Sequence, residues 1–359
     1  MSIHFHKLVI KEIRKETSEC VSVLFDLPQT LQKDFQFKQG QSLTMRTMIG
    51  GEEVRRTYSL CSSPLDGQLR VAIKKVDGGL FSSFANDNLK SGDLLEVMEP
   101  VGKFYVELNP ANKKNYLAFA SGSGITPVMS IIKTTIRTEP HSNFTLVYGN
   151  RSRSSIIFFE ELEGLKNTFI DRFNLINILS RERTESQINF GRIDIGKLTE
   201  LEKLVDYKKM DEIFICGPEE MIFCVKNFLE QKEISEKKIH FELFTTSGQK
   251  ATNVKRQASN VSSGPASKIT VKVDGRSFDF DLPLNSDKTI LDAALKQGAD
   301  LPYACKGGMC CTCKAKLLEG EVEMDVHWGL EHEEIEKGYI LTCQSHPKTE
   351  KVVVDFDIK

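Results

Sequence analysis

Apolar and polar positions alternate in short runs along the first third of the chain, at 4–11, 20–27, 41–48, 57–61, 69–74 and 93–98. A period of two puts alternate side chains on opposite faces of a strand, and Asp66-Gly67 and Asp77-Gly78-Gly79 interrupt the runs as turns. Only 81–89 has helical spacing, so residues 1–108 predict an antiparallel β-barrel. Past Pro110 the pattern changes. Apolar runs at 116–120, 144–148, 173–179 and 213–216 alternate with amphipathic stretches at 127–137, 156–165, 195–204 and 218–231. Strand and helix in alternation predict a doubly wound α/β domain on a parallel sheet over 109–245.

Residues 246–267 are rich in Ser, Thr, Gly, Asn and Ala and hold almost no large apolar side chain, so the segment reads as a flexible linker. Beyond it, alternating strands at 268–274 and 276–282, a helix near 289–297, a cysteine loop and closing strands near 313–318 and 351–356 predict a small mixed domain over 268–359. The chain is therefore expected to be multidomain α+β. Its 359 residues exceed what one hydrophobic core serves, which agrees with three domains.

Forty-eight basic against fifty acidic residues leave a formal charge of -2, so no global field draws in nucleic acid or anionic lipid. The N-terminal segment alternates apolar with charged residues and has no secretory pattern, and no later stretch is long and apolar enough to span a bilayer, so a cytoplasmic protein without membrane insertion is expected. Nine cysteines are an odd number, and four of them crowd into 305–313, which suits thiolate ligands better than a disulfide framework. Cys20, Cys61 and Cys224 sit among apolar neighbours and are expected in the core.

Cys305, Cys310 and Cys313, followed far downstream by Cys343, have the C-x4-C-x2-C…C spacing of plant-type 2Fe-2S ferredoxins. Gly307 and Gly308 let the backbone fold tightly and aim amides at the sulfurs. A structural zinc site, the alternative, usually uses two C-x2-C knuckles, and only one such pair exists here. A Rieske centre needs two histidine ligands, and His327, His332 and His346, expected at the surface, have no Cys-x-His pairing with the loop. Cys311 is read as a bystander. Residues 321–336 carry seven acidic side chains and no lysine or arginine, either a solvated acidic face or a surface that steers a basic partner.

Arg56-Thr57-Tyr58-Ser59 lies on a predicted strand, with a cation suited to a pyrophosphate and a ring suited to a flat isoalloxazine. Gly78-Gly79-Leu80-Phe81-Ser82 opens the barrel's helix, where free amides and the Ser82 hydroxyl make an anion site, or else a simple turn. Ser121-Gly122-Ser123-Gly124-Ile125-Thr126-Pro127 runs from strand to helix as a phosphate-cradling loop does, although its sixth position departs from GxGxxG. Cys216-Gly217-Pro218 ends a strand at the carboxyl edge where open α/β sheets bind ligands; a tight strand-to-helix turn is the alternative.

Together these residues resemble the ferredoxin-NADP reductase superfamily, and with the appended cysteine loop the chain resembles the reductases of bacterial multicomponent oxygenases. The resemblance implies a β-barrel FAD domain, an NAD(P) domain and a β-grasp 2Fe-2S ferredoxin domain. It implies Arg56 at the FAD phosphates, Tyr58 against the flavin ring and Ser59 near its reactive nitrogen. Ala72, Ile73, Lys74, Leu80, Phe81 and Ser82, with Gly79 before them, would line the flavin. Gly122, Ser123, Gly124, Thr126 and Pro127 would hold the dinucleotide, with Cys216 beside the nicotinamide and Gly217 and Pro218 following it. Glu242 and Phe244 would approach the flavin.

Ser180, Arg181, Arg151 and Arg192 resemble residues that hold a 2'-phosphate, which favours NADP over NAD. The function implied is electron transfer from NAD(P)H through FAD and a cluster on Cys305, Cys310, Cys313 and Cys343 to an acceptor protein, an oxygenase component. A fatty-acyl desaturase, another hydroxylase or a hybrid-cluster protein would share these motifs. A non-catalytic nucleotide- and metal-binding subunit is a reading of another class, and the intact Tyr58, Ser59 and Cys216-Gly217-Pro218 argue against it.

Overall fold

A computed structural model describes residues 4–244 and 265–358. They form two compact units, one built from 6–244 and the other from 265–358, with which 4–5 are grouped.

In the first unit the chain begins with a six-stranded antiparallel sheet. Its strands are β1 (His6–Thr17), β2 (Cys20–Asp26), β3 (Ser42–Ile49), β4 (Glu52–Ser59), β5 (Leu69–Lys74) and, after helix α1 (Leu80–Asp87), β6 (Leu94–Val97). The order β4-β3-β6-β1-β2-β5 curls round until Leu60 bridges Val71 and joins the two ends as a barrel. The β1–β2 hairpin is longer than the alternation predicted, because register shifts between Ile10 and Glu12 and between Lys15 and Thr17 blur the period of two. β4 starts five residues earlier than expected, since a turn at Gly50-Gly51 pairs Glu52 with Ile49. The interior holds Leu8, Ile10, Leu43, Met45, Val71 and Ile73, all wholly buried.

The second half of this unit is a parallel sheet, β7 (Asn115–Ser121), β8 (Asn143–Asn150), β9 (Phe173–Leu179), β10 (Glu212–Gly217) and β11 (Ile239–Leu243), in the order β11-β10-β7-β8-β9. Its helices are α2 (Ile125–Thr138), α3 (Phe159–Thr168), α4 (Ile195–Leu201) and α5 (Glu219–Gln231). α3 starts later than its sequence pattern predicts. Ile156, Ile157 and Phe158 are all buried in the core, and Phe158 takes a left-handed backbone at φ 62° that a helix cannot include. The barrel and the parallel sheet share a core in which Cys20, Cys61 and Phe104 pack with Tyr148, Ile132 and Phe214. Cys224 departs from the expected core placement: it lies half-buried on α5.

The C-terminal unit contains β12 (Ala266–Val273), β13 (Arg276–Pro283), α6 (Ile290–Lys296), β14 (Lys314–Glu319), β15 (Val322–Met324), α7 (His332–Glu336), β16 (Tyr339–Leu341), β17 (Ser345–Pro347) and β18 (Lys351–Asp355). β13-β12-β18-β14-β16 form one sheet in which β12 and β18 run parallel and the other pairs antiparallel, while β15 and β17 make a separate ribbon. Ile290, Leu291 and Ala294 of α6 pack on Ile269, Val271, Val352 and Val354, which is the β-grasp arrangement. Most of the expected linker lies outside the described residues, and its last two, Ala266 and Ser267, belong to β12. Among the described residues no helix is long and apolar enough to cross a membrane.

Candidate functional site

β4 carries Arg56, Thr57, Tyr58 and Ser59 to the end of the barrel that faces the parallel sheet. Antiparallel pairing with β3 fixes the alternation: Thr57 stands opposite Thr44, with hydroxyls 3.2 Å apart, and Ser59 opposite Ser42. The Tyr58 ring lies 5.5 Å from Phe81 on α1, and burial raises its phenol well above the usual tyrosine range, so the group stays neutral. Arg56 donates to the Arg55 carbonyl at 2.7 Å. β5 runs alongside with Ala72 and Ile73 buried and Lys74 at its end.

Gly79 caps α1 with no side-chain hydrogen bond, which leaves the helix amides without a local side-chain acceptor. The Ser82 hydroxyl is engaged in the turn before the helix. It accepts from the Val76 amide at 3.1 Å and donates to the Gly79 carbonyl at 3.3 Å, so it holds the turn closed. Leu80 stands exposed beside it.

At the carboxyl edge of the parallel sheet, Gly122 turns with φ 54° and places its carbonyl on the Tyr148 hydroxyl, which donates at 2.9 Å. The spacing of the loop had flagged the glycines; Tyr148, inside an apolar strand, had no signal to set it apart. Thr126 donates to the Ser123 carbonyl at 3.0 Å, and Pro127 is buried in the first turn of α2. Gly124 presses on the next loop: a Cβ here would lie 2.1 Å from the Cys216 carbonyl oxygen. Only glycine allows this approach, so the phosphate-loop candidate and Cys216-Gly217-Pro218 form one continuous surface. Gly217 in turn packs its backbone against Ser121, and Pro218 opens α5.

Cys216 pairs across β10–β11 with Glu242. Glu242 accepts a hydrogen bond from Ser59 at 3.2 Å, across a sequence separation of 183. Strands from the barrel and the sheet thus bring Ser59, Glu242 and Cys216 together. Burial, and next the Glu242 charge, push the Cys216 thiol far up, so it is a neutral thiol here. Phe244, at the chain's exit from β11, is exposed. At the far side of the edge, the Arg181 amide donates to the Arg151 carbonyl at 2.8 Å and the Ser180 amide to the Asn150 carbonyl at 2.9 Å. Leu179 bridges Phe190, which brings Arg192 to the same rim.

In the C-terminal unit the cysteine loop folds back on its own sulfurs. The Gly307 and Cys310 amides donate to the Cys305 sulfur at 3.3 and 3.5 Å, and the Cys305 amide to the Cys310 sulfur at 3.5 Å. The Cys310 thiol, with the backbone amides of Cys310, Gly307 and Met309, lowers the Cys305 thiol to about 6 against the effect of burial. Cys305 faces Cys310, and Cys313 faces Cys343. Two pairs of soft thiols with amides aimed at sulfur fit a centre of two irons with two thiolates on each. Gly308, at φ 77°, has no room for a side chain: its Cβ would lie 2.6 Å from Val326 Cγ2.

Cys311 turns away at φ 55° and gives its thiol to the Gly329 carbonyl at 2.7 Å, in keeping with a bystander. His346 is not a surface residue: it is 2% exposed and pairs with Asp325 at 3.0 Å. Within the acidic stretch Glu323 pairs with Lys348 and Glu334 with Lys314, so the stretch is partly neutralised by lysines from outside it.

A barrel whose helix opens at a glycine, a parallel sheet with a glycine loop, and a cysteine loop facing Cys343 on a β-grasp domain define a flavin and iron-sulfur oxidoreductase. Three families match the chain in this order: "Oxidoreductase FAD-binding domain" over 7–105, "Oxidoreductase NAD-binding domain" over 119–227 and "2Fe-2S iron-sulfur cluster binding domain" over 271–348. One of the subunits of 1,2-phenylacetyl-CoA epoxidase from Escherichia coli is 46% identical over 99% of this chain and 98% of its own. The ferredoxin reductase component of 3-ketosteroid-9-alpha-monooxygenase from Rhodococcus rhodochrous is 33% identical over 97% and 96%. The solved structure of phthalate dioxygenase reductase shares the fold, with a TM-score of 0.59, 23% identity and 98% of both chains covered. The chain belongs to the ferredoxin-NADP reductase superfamily, in the group with a C-terminal 2Fe-2S domain, and is an electron-transferring oxidoreductase with FAD, NAD(P) and 2Fe-2S cofactors.

Proposed function

We propose that this protein is the reductase component of a multicomponent oxygenase of the phenylacetyl-CoA epoxidase type, working in the cytoplasm with NADPH. The observation that carries the reductase site is the meeting of Ser59, Cys216 and Glu242 between two sheets; the end-to-end likeness to the Escherichia coli epoxidase component supports the acceptor. Bound nicotinamide supplies a hydride, flavin can release the two electrons singly, and a 2Fe-2S centre accepts one.

The chain's own residues supply geometry. Arg56, the Gly79 end of α1 and Lys74 are suited to the FAD phosphates, and Thr57, Tyr58, Ala72, Ile73, Leu80, Phe81 and Phe244 to its rings. Gly122, Ser123, Gly124, Thr126 and Pro127 cradle the dinucleotide, with Gly217 and Pro218 closing against them. Ser59 keeps a hydroxyl at the reacting edge. Glu242 accepts from that hydroxyl and sets the charge beside it, while Cys216 presents a small neutral thiol that lets a ring approach closely. Arg151, Ser180, Arg181 and Arg192 share one rim, which suits a 2'-phosphate. Cys305, Cys310, Cys313 and Cys343 hold the cluster.

The acceptor is tested by reconstituting the purified protein with the oxygenase components of the Escherichia coli epoxidase, phenylacetyl-CoA, oxygen and either coenzyme. NADPH-driven epoxidation, faster than with NADH, is expected. Rapid ferricyanide reduction with no epoxidation would overturn the acceptor and leave the reductase intact; a faster rate with NADH would overturn the coenzyme choice.

A further inference from the structure

We propose that Gln344 is a positioning residue of the iron-sulfur centre: its side-chain amide ties the distal ligand Cys343 to the loop of the other three and donates to the Cys343 sulfur, raising the potential at which the cluster takes an electron. This rests on ligation by Cys305, Cys310, Cys313 and Cys343.

The Gln344 amide nitrogen lies 2.8 Å from the Lys306 carbonyl oxygen, 3.0 Å from the Cys343 carbonyl oxygen and 3.5 Å from the Cys343 sulfur. Two carbonyls at that end leave no choice of orientation, because an amide oxygen there would face two other oxygens. Two N–H groups are shared among three acceptors, and sulfur, the softest, stands at the longer distance its size requires. The side chain is 8% exposed, so water does not compete for these bonds. Its backbone is pinned on both sides: the Gln344 amide donates to the Leu341 carbonyl and the Gln344 carbonyl accepts from Asp325, each at 2.9 Å. Gly308, which must be glycine, would place a Cβ 3.3 Å from Gln344 Cγ, so the loop is shaped around this side chain.

The ligand segments are far apart in sequence, and Gln344 is the side chain that joins the Lys306 carbonyl of one to the sulfur of the other. An added electron increases the negative charge on the ligand sulfurs. A fixed donor therefore stabilises the reduced centre more than the oxidised one and raises its potential. The backbone amides at Cys305 act in the same sense, but they survive any substitution; the Cys343 contact depends on one replaceable residue.

The test is potentiometry of the holoprotein, followed by electron paramagnetic resonance, for wild type, Gln344→Met and Gln344→Glu. Gln344→Met keeps the bulk and removes the donors; at a fixed ambient potential its reduced-to-oxidised ratio should fall about tenfold, a midpoint about 59 mV lower for a one-electron couple. Gln344→Glu should fall further, because a carboxylate then faces the thiolate and two carbonyls. A Gln344→Met cluster with the wild-type midpoint would overturn the proposal, whatever its stability. If the variants fail to assemble the centre, wild-type protein labelled with 15N in glutamine amides decides: a weak nitrogen coupling in pulsed resonance of the reduced protein is expected, and its absence overturns the proposal. Wild-type protein without a 2Fe-2S signal would instead refute the ligation on which it rests.

Discussion

The two units assemble their chemistry in opposite ways. In the C-terminal unit three of the four thiols come from one loop, and the amides that serve the Cys305 sulfur come from the same loop. In the first unit Ser59 and Glu242 lie 183 positions apart and meet only because the barrel end faces the parallel sheet. A local site depends on turn geometry, which short-range sequence governs; a convergent site depends on the packing of whole sheets. Substitutions should therefore divide the activities cleanly when made in the loop and disturb the whole first unit when made at its seams.

The largest effect is expected from Cys310→Ser. Transfer to a cluster-dependent acceptor should fall by about a hundredfold or more, since a hard alkoxide replaces a soft thiolate ligand. NADPH-driven ferricyanide reduction should stay within about twofold, because outer effects do not cross independent sites. Parallel loss of both activities would mean that the units are not chemically separable. Next comes Glu242→Gln, which preserves an acceptor for Ser59 and removes the charge beside Cys216. Stopped-flow flavin reduction should slow by about a hundredfold at unchanged FAD content, while the 2Fe-2S signal stays as in wild type. A normal rate would remove Glu242 from the site.

The smallest effect concerns the seam between barrel and sheet. Burial alone would raise the Asp66 carboxyl, but hydrogen bonds from Lys133 and Arg137 and from the Ser63 amide hold it below the ordinary 3.8. A carboxylate with a lowered folded pKa contributes stability above its unfolded value and loses it as pH falls through the folded one. Asp66→Asn should therefore lower stability by about 1 kcal/mol at pH 7, seen as a melting temperature about 2–4 °C lower. The gap should close as pH falls below 3.8, where the wild-type carboxyl takes up its proton. An equal gap at both ends of that range would show that packing, not charge, holds the seam.

Legibility followed the same division. Spacing alone marked Cys305, Cys310, Cys313 and Cys343, and the period of two or the strand-helix alternation marked most elements. The alternation failed where a bulge reset it in β1 and where Ile156, Ile157 and Phe158 turned inward instead of lying on a helix face. That the Ser82 hydroxyl closes its own turn, on the Gly79 carbonyl, was not marked by its residue type. His346, a polar residue outside any apolar run, is buried with its Nε2 paired to Asp325. Tyr148 and Gln344 had no pattern of their own; one looks like a core aromatic and the other like a polar residue after a cysteine.

By itself the sequence determined the three matched regions and their order, and it marked the cysteine spacing and the two glycine loops, because each rests on spacing along a covalent chain. Tertiary structure alone decided that Ser59 donates to Glu242, that Gly124 must let Cys216 approach, and that Gln344 closes the distance between two cysteine-bearing segments. Those contacts join residues whose separation is set by sheet pairing and packing, and nothing in the local order of side chains encodes that distance.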